Sequence, residues 1–584
     1  MKSFKFIALS LLHLLALQLS GCATYGSGVD KALQFAQKGE YIEAEQSMKS
    51  ALNATGADRL LYYMELGVLK HLQGQYQASN SLLESAEQVA ESLEVTSASN
   101  NIVAFMTNPR SGDYTGTDFE KVFINYYKTL NYMAMSNVAL TRNARLDAIE
   151  SARIESRRLG IRLNALNADK GTYVEQKDKD AEIFSQLLDV FSKLRGNLID
   201  SDKLEYRDDA MAHYLTGITY EANREYDNAR ISYRKAAISY QDGYSQQFDL
   251  GSKMTQQAWF DVVRMMRKAG GYESEWPRLA KKKLTAAQRL ELNEFDDKSQ
   301  LVVIEHVGIV PQRAEMNVQL SADAANRSLI LRPYIGDQST RREQLAWFYL
   351  VYADKSLFNL MIHYRNNDFL NFILNDFQKT IYLAGGWDVA SKLGLINAIG
   401  SGLRITVPYY APPKQKPGAS FVTIAGNRYP LRPASKPAIM GINEQLLNAN
   451  GDIQLALARG AFKALTAQKA GELAGNQLGG SFAGVLASVG KLASQLTDAA
   501  ETRNWLMLPY EIRVTRIPLD AGSHSLDVSS EVLEGKSALR QSQDIIMQED
   551  ELQVVQVRSM PYLNQAEANP AVNKIQKAVA LIEQ

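Results

Sequence analysis

The chain predicts an α+β multidomain protein. An all-α repeat solenoid over 30–298 is followed by a mixed α/β domain over 299–584, which carries a Gly/Ala-rich helical insertion at 453–500. Three observations lead there. Turns of the Gly-x-Tyr type recur with small residues at fixed offsets in the first half. From about Leu301 the pattern changes to short β-branched runs ended by proline or glycine. The only cysteine, Cys22, stands behind a short apolar leader, which sets the first 29 residues apart from both halves. A length of 584 residues gives two or three domains as the prior.

The leader has Lys2 and Lys5, an apolar run from Phe6 to Leu19, and then Ser20-Gly21-Cys22. A basic start and a short apolar stretch mark a secretory signal peptide, here with cysteine where cleavage would fall. The segment resembles the lipobox of bacterial lipoproteins. That resemblance implies a signal peptide at 1–21, cleavage between Gly21 and Cys22, a lipid on the Cys22 thiol, and a lipidated tether at 22–29. Small residues at Ser20 and Gly21 let a peptidase reach the bond, and a thiolate is the nucleophile that accepts lipid. Ala23 stands where an inner-membrane retention signal would place Asp, so the resemblance implies the periplasmic face of the outer membrane.

Removing 1–21 leaves 62 basic against 64 acidic residues, a net charge of −2. Near-neutrality gives no electrostatic reason to expect nucleic acid as a partner. With Cys22 consumed by lipid no intramolecular disulfide can form, so packing alone must stabilise the fold. No later apolar stretch approaches the length of a helical span, which makes the lipid the expected membrane anchor.

The repeat has three copies. The first holds Gly39, Tyr41, Ala44, Met48 and Ala51. The second holds Gly67, Gly74, Tyr76, Ser79, Leu83 and Ala86, and the third Gly217, Tyr220, Tyr226, Ala229, Tyr233 and Ala236. Tyr41 and Tyr76 are 35 residues apart. These positions match the small and aromatic slots of the tetratricopeptide repeat (TPR). Small residues there let antiparallel helices approach, and aromatics fill the groove between hairpins. A TPR-like surface binds partners through the inner helices of its hairpins.

Between the copies, Phe119 to Leu163 reads as a helical hairpin. Phe119, Phe123, Tyr126, Tyr127, Leu130 and Met133 recur at three and four and form a core stripe, followed by Leu146, Ala148, Ile149, Ala152 and Ile154 with Arg153, Arg157 and Arg158. Asp169–Glu182 reads as a solvated connection. Helices continue to about Leu292. Strands are expected at Leu301–Ile304, Val307–Val310, Met316–Leu320, Leu329–Leu331, Arg404–Tyr409, Phe421–Ile424, Ile512–Ile517, Ser525–Val528 and Leu552–Val557, with helices at Gln344–Tyr352 and Ile453–Ala499.

Three further runs carry a wider resemblance. They are Asp118-Phe119-Glu120-Lys121 with Asn125-Tyr126-Tyr127-Lys128-Thr129-Leu130-Asn131-Tyr132, then His306-Val307-Gly308-Ile309-Val310-Pro311, and finally Glu501-Thr502-Arg503-Asn504-Trp505-Leu506-Met507-Leu508-Pro509 with the Pro518–His524 turn. Together they resemble a poorly characterised family of Gram-negative periplasmic lipoproteins with TPR-like repeats. The resemblance covers most of the mature chain apart from about 320–400. It implies architecture and location and supplies no catalytic residues.

Chemistry-bearing motifs are sparse. His71, His213, His306, His363 and His524 have no metal-ligand spacing, so no metal or cofactor is expected. Gly535-Lys536-Ser537 lacks the first glycine of a P-loop, since Ser530 occupies that place, and Gly522-Ser523-His524 lacks the second glycine of a nucleophile elbow. Gly471, Gly475, Gly479, Gly480, Gly484 and Gly490 suit a tightly packed or flexible helical hairpin, or a helix that contacts a partner or membrane. Arg503 and Trp505 would anchor the next strand onto that hairpin. The expected role is a non-enzymatic scaffold or accessory factor in envelope assembly, holding protein partners through the solenoid. The rival is an envelope hydrolase acting on glycan through carboxylates of the second half. Its test positions are Glu305, His306, Asp354, Asp388, Glu501 and His524.

Overall fold

The computed structural model describes residues 24–107, 110, 112–170, 204–352, 378–383, 386–392, 395–400, 402–411, 417–475, 499–532 and 539–560. Helix makes up 55% and strand 23%, and the two segregate into a helical amino-terminal region and a carboxyl-terminal sheet region.

Helices α1 (Thr24–Gln37), α2 (Tyr41–Ala51), α3 (Arg59–Leu72), α4 (Tyr76–Thr107), α5 (Asp118–Asn137), α6 (Arg142–Lys170), α7 (Ala210–Ala222) and α8 (Tyr226–Ser239) pair as consecutive hairpins. Three of them share one turn. Glu40, Gln75 and Glu225 donate their backbone N–H to the carbonyls of Phe35, Lys70 and Tyr220, each at 2.9 Å. The preceding residues, Gly39, Gly74 and Arg224, have φ of 77°, 74° and 61°. This is the six-to-one closure of a Schellman cap, whose left-handed residue satisfies orphan carbonyls and reverses the chain. At the crossings Gly67 and Gly217 admit the partner helix. A Cβ there would stand 2.6 Å from Leu83 and 2.5 Å from Tyr233. Helices α9 (Lys253–Ala269), α10 (Trp276–Lys283) and α11 (Ala286–Asp297) complete this half.

Strands begin with β1 (Ser299–Val307), β2 (Arg313–Asp323) and β3 (Ser328–Tyr334). Then come α12 (Arg341–Tyr352), β4 (Lys379–Tyr382), α13 (Gly386–Lys392), α14 (Leu395–Ile399), β5 (Leu403–Tyr410), β6 (Pro417–Ile424), β7 (Asn427–Ser435) and α15 (Pro437–Gly475), followed by β8 (Glu511–Leu519), β9 (Gly522–Val532), β10 (Leu539–Met547) and β11 (Leu552–Ser559). They build a seven-stranded sheet, β10-β9-β6-β7-β8-β1-β11, and a four-stranded sheet, β4-β3-β2-β5. Every pairing is antiparallel except β1 with β11.

The larger sheet is rolled. Strands β10 and β11 are joined by the short connection 548–551 yet stand at opposite ends of the order. Gln541 Nε2 bridges to the Arg558 carbonyl at 2.6 Å, which brings the two edges together. Leu301, Val303, Val422, Leu526 and Val555 fill the inside of the roll. Its outer face, with Val302, Ile304, Ile512 and Val514, shares one core with Leu60, Phe123, Leu215 and Val263 of the helices. Helix gives way to strand at 298–299, but the hydrophobic core runs across that boundary. A separate core lies where α12 and α15 cover the smaller sheet, around Val318, Leu329, Trp347, Ile405 and Leu446.

Some expectations need correction. Val307–Val310 is not a strand, because β1 ends at Val307 and Gly308 turns left-handed at φ 61°. The helix expected from Ile453 begins at Pro437, whose fixed φ suits a first helical turn. Strands β4, β7 and β10 have no counterpart among the expected strands. The segment 476–490 of the glycine-rich stretch lies outside the described residues, as do residues 1–23 with Cys22.

Candidate functional site

The three runs of the wider resemblance, far apart in sequence, meet at one junction. The Trp505 N–H donates to Glu120 at 2.9 Å, while those of Leu506 and Met507 donate to the two oxygens of Glu65 at 2.6 and 3.0 Å. Val310 N–H reaches the Leu508 carbonyl at 2.9 Å. Tyr126 Oη and His306 Nε2 are 2.9 Å apart. Arg503 finds the carboxylates of Glu501 and Asp58 and the carbonyls of Ala57 and Gly112. The Glu501–Leu508 segment is thus held against α3, α5 and the loop before α3. The glycine-rich hairpin onto which Arg503 and Trp505 are expected to anchor lies, beyond Gly475, outside the described residues.

The same contacts show what covers α3 and α7. Helix α3 is buried on nearly all sides, as is α7. Their remaining faces are covered by this chain's own sheet and by the 501–508 segment. At α7 the cover is ionic. Glu221 meets Arg264 and Arg516 at 2.6 and 3.1 Å, Asp261 meets the same two arginines at 3.2 and 3.3 Å, and all four are fully buried. Tyr233 donates to Glu221, and Tyr214 to Asp261, each at 2.7 Å. Burial raises the Glu221 carboxyl, but the two guanidinium groups overcome it and hold it down to about 2.

At α3 the contact is built around an imidazole. His71 Nδ1 is 2.7 Å from Asn131 Oδ1. Because Asn131 Nδ2 donates to Ser79 and Asn80, its oxygen is the acceptor and His71 is the donor. Burial, with Arg558 nearby, lowers the imidazole to about 4, and His306 is lowered for the same reasons. Burial pushes Glu65 up to about 8 against its two backbone hydrogen bonds.

What remains open is the far side of α5. Helices α4, α5 and α6 enclose a groove of about 580 Å³. Glu84, Glu87, Gln88, Glu91 and Glu94 line it from α4, Asp118, Lys121 and Val122 from α5, and Arg158, Ile161, Arg162, Ala165 and Leu166 from α6. Each set recurs at three and four residues and so shares one helix face. Beneath the groove Lys128, only 2% exposed, reaches Glu84, Glu87 and Glu155 at 2.5, 2.8 and 3.0 Å. Burial opposes the charge on Glu87, yet Lys128 dominates and keeps the carboxyl below its usual range. Arg158 meets Glu84 and Glu155, and Arg162 meets Glu87. The walls hold five carboxylates against three cations, and Ile161 stands 67% exposed at the rim. Such a trough can seat a side-chain-bearing chain by ion-pair exchange and by covering Ile161. The acidic ladder was legible as Glu84, Glu87, Glu91 and Glu94 at helical spacing, but only the fold sets it opposite Arg158 and Arg162.

The other singled-out residues do not assemble into one centre. Glu305 and His306 are neighbours on β1 and face opposite sides. Glu305 points into the roll and accepts hydrogen bonds from Ser420, Ser530 and Ser559 at 3.1, 2.6 and 2.6 Å. His524 rests on the Asp520 carbonyl in an exposed hairpin, Asp388 is an exposed neighbour of Arg327, and His213 pairs with Asp208. Asp354, His363 and Gly535-Lys536-Ser537 lie outside the described residues. Among the described residues no group of three or more His, Cys, Asp or Glu is placed to hold a metal, and no helix is long and apolar enough to cross a membrane. Comparison with protein-family models, curated proteins and solved structures returned no match.

Proposed function

We propose that this protein is a lipid-anchored periplasmic scaffold of the outer membrane, tethered through Cys22, that docks a protein partner in the groove between α4, α5 and α6. The groove carries the proposal. It is open and chemically mixed, and it lies on three successive helices of a repeated array. The shared Schellman turns and the Gly67 and Gly217 crossings support a TPR-like reading of that array. Partner binding is then assigned to the faces of these helices turned away from the sheet. A glycan hydrolase has less support, because Glu305 and His306 are buried and engaged on opposite faces of β1.

Photocrosslinking in intact cells tests the docking. A benzophenone amino acid at Glu91 or Ile161 should give discrete adducts, and one at Ile238 on α8 should give none. Equal adducts at all three positions would reject the groove. The tether is tested separately by feeding a fatty-acid probe. Cys22→Ser should carry no label, because a hydroxyl does not replace the thiol in lipid transfer, and label equal to wild type would remove the anchor.

A further inference from the structure

The smaller sheet has one face on α12 and α15 and another that is polar and open. Alternation along its strands places the side chains of that face in rows across the sheet, with Thr406 and Ser328 buried and Arg332, Arg404, Tyr334 and Tyr382 exposed. Pairing registers give one row of Thr406, Asn317 and Tyr334, and the next of Arg404, Gln319 and Arg332. The row below has Ser321, Ile330 and Thr380, and Tyr382 pairs with Ser328 beyond it. Two arginines therefore flank one glutamine, with their backbones about 10 Å apart, or two strand spacings.

Both guanidinium groups are oriented without being neutralised. Arg404 Nε donates to Asn317 Oδ1 at 3.1 Å, and the group lies 4.8 Å from the centre of the Tyr334 ring. Arg332 Nε donates to Gln378 at 2.7 Å. Among the described residues neither meets a carboxylate. The two acids of this face stand at its ends and are engaged, Glu315 by Arg110 and the Ala500 N–H, and Asp323 by Asn326. In a chain whose formal charge is zero, this is a positive patch left uncompensated. Tyr334 and Tyr382 are 48% and 69% exposed beside it.

We infer that this face binds an anionic glycan, a chain of sugar rings bearing carboxylate or phosphate groups. The guanidinium forks offer paired N–H donors matched to such anions. Gln319 and Gln378 supply amide donors and acceptors for hydroxyls. The tyrosines present flat surfaces with a polar tip, suited to ring faces. Single-stranded nucleic acid fits less well, because two cations are few for binding that rests on many phosphate contacts. An acidic peptide strand would pair with a sheet edge, and these groups lie on a face. The inference is independent of the groove on α4–α6.

Isothermal titration of the full chain in detergent with an oligogalacturonate, a maltooligosaccharide and poly-glutamate tests it. The oligogalacturonate should bind, and the other two should bind at least several-fold more weakly. Arg332→Gln/Arg404→Gln should lower oligogalacturonate affinity by roughly tenfold or more. Tyr334→Ala should lower it several-fold, and Arg327→Gln, outside the face, should leave it unchanged. All four residues are exposed, and an unshifted thermal melt checks that the fold persists. Equal binding of poly-glutamate, absence of oligogalacturonate binding, or binding indifferent to the double variant would each overturn the inference.

Discussion

The hairpins α3–α4 and α7–α8 align in sequence position by position at an offset of 150 residues, yet they meet the sheet with different electrostatics. Gly67 corresponds to Gly217, Tyr76 to Tyr226 and Leu83 to Tyr233, and the turns close with the same 2.9 Å bond. The residue four before the turn's glutamine or glutamate is His71 in one and Glu221 in the other. His71 is kept neutral in a setting of His306, Tyr127 and Arg558, whereas Glu221 keeps its charge between Arg264 and Arg516. The lesson is that the repeat sets backbone geometry and leaves the side chain at the sheet contact to match whatever the strand opposite presents. Arg516 on β8 demands an anion, and His306 on β1 tolerates a neutral ring.

The largest expected effect comes from breaking the ionic junction. Arg516→Met leaves Glu221 and Asp261 buried with only Arg264 between them, and losing one partner of such a set costs about 3–5 kcal/mol. Urea unfolding should show that loss as a lower midpoint with an unchanged slope. A change under about 1 kcal/mol would mean that water reaches these carboxylates, and the contrast with α3 would collapse.

Acid should titrate His71 before Glu221. A group whose folded pKa is depressed adds stability above its unfolded pKa, and that stability is lost as pH falls toward the folded value. For His71 the window runs from 6.5 down to about 4 and is worth about 3 kcal/mol, while Glu221 titrates lower, from 4.5 down to about 2. Glu65 and Asp209, raised to about 8 and about 6, act in the opposite sense and gain stability on acidification. The informative measurement is therefore the difference between His71→Gln and wild type at each pH. That difference should shift in favour of the variant from pH 6.5 to 4, and a pH-independent difference would show that His71 is solvated.

Much of this was readable in the sequence at the level of elements, and less at the level of contacts. The hairpin of Phe119 to Leu163 follows from its apolar spacing and most strands from alternating or β-branched runs, although β1 and β8 are buried on both faces. Strand β10 gives no such signal, because Leu539-Arg-Gln-Ser-Gln-Asp-Ile-Ile-Met is largely polar and holds its place by pairing with β9. The junction at Trp505 was hidden for another reason. Glu65 and Glu120 look like ordinary helix-surface acids, and only a fold that brings residues 505–507 onto them makes them acceptors for backbone amides.

Within the shared hairpin geometry, the small slot of the third copy is the next test. Ala229 is fully buried where Ser79 stands in the second copy, and Ser79 donates from its hydroxyl to the Gly67 carbonyl at 2.6 Å. Ala229→Leu adds volume to a closed crossing and should cost roughly 1–3 kcal/mol. A thermal melt should move down accordingly, and an unchanged melting temperature would mean that the register joining the two hairpins is wrong.

The smallest effect should be of opposite sign in the two turns. Arg224 holds the left-handed position at φ 61° that Gly74 fills at φ 74° in the other hairpin. An L-residue pays about 1–2 kcal/mol there, while glycine pays about 0.5–1 kcal/mol through its freer unfolded chain. The Arg224–Asp550 ion pair at 3.2 Å joins two exposed side chains and adds little. Arg224→Gly should thus stabilise by roughly 0.5 kcal/mol, the difference between those two costs. Conversely, no atom lies within 4 Å of a Cβ built on Gly74, so Gly74→Ala tests backbone strain without a clash. It should destabilise by about 1 kcal/mol. If both substitutions move the unfolding midpoint in the same direction, the two turns do not share a cap, and the hairpins are alike in sequence spacing alone.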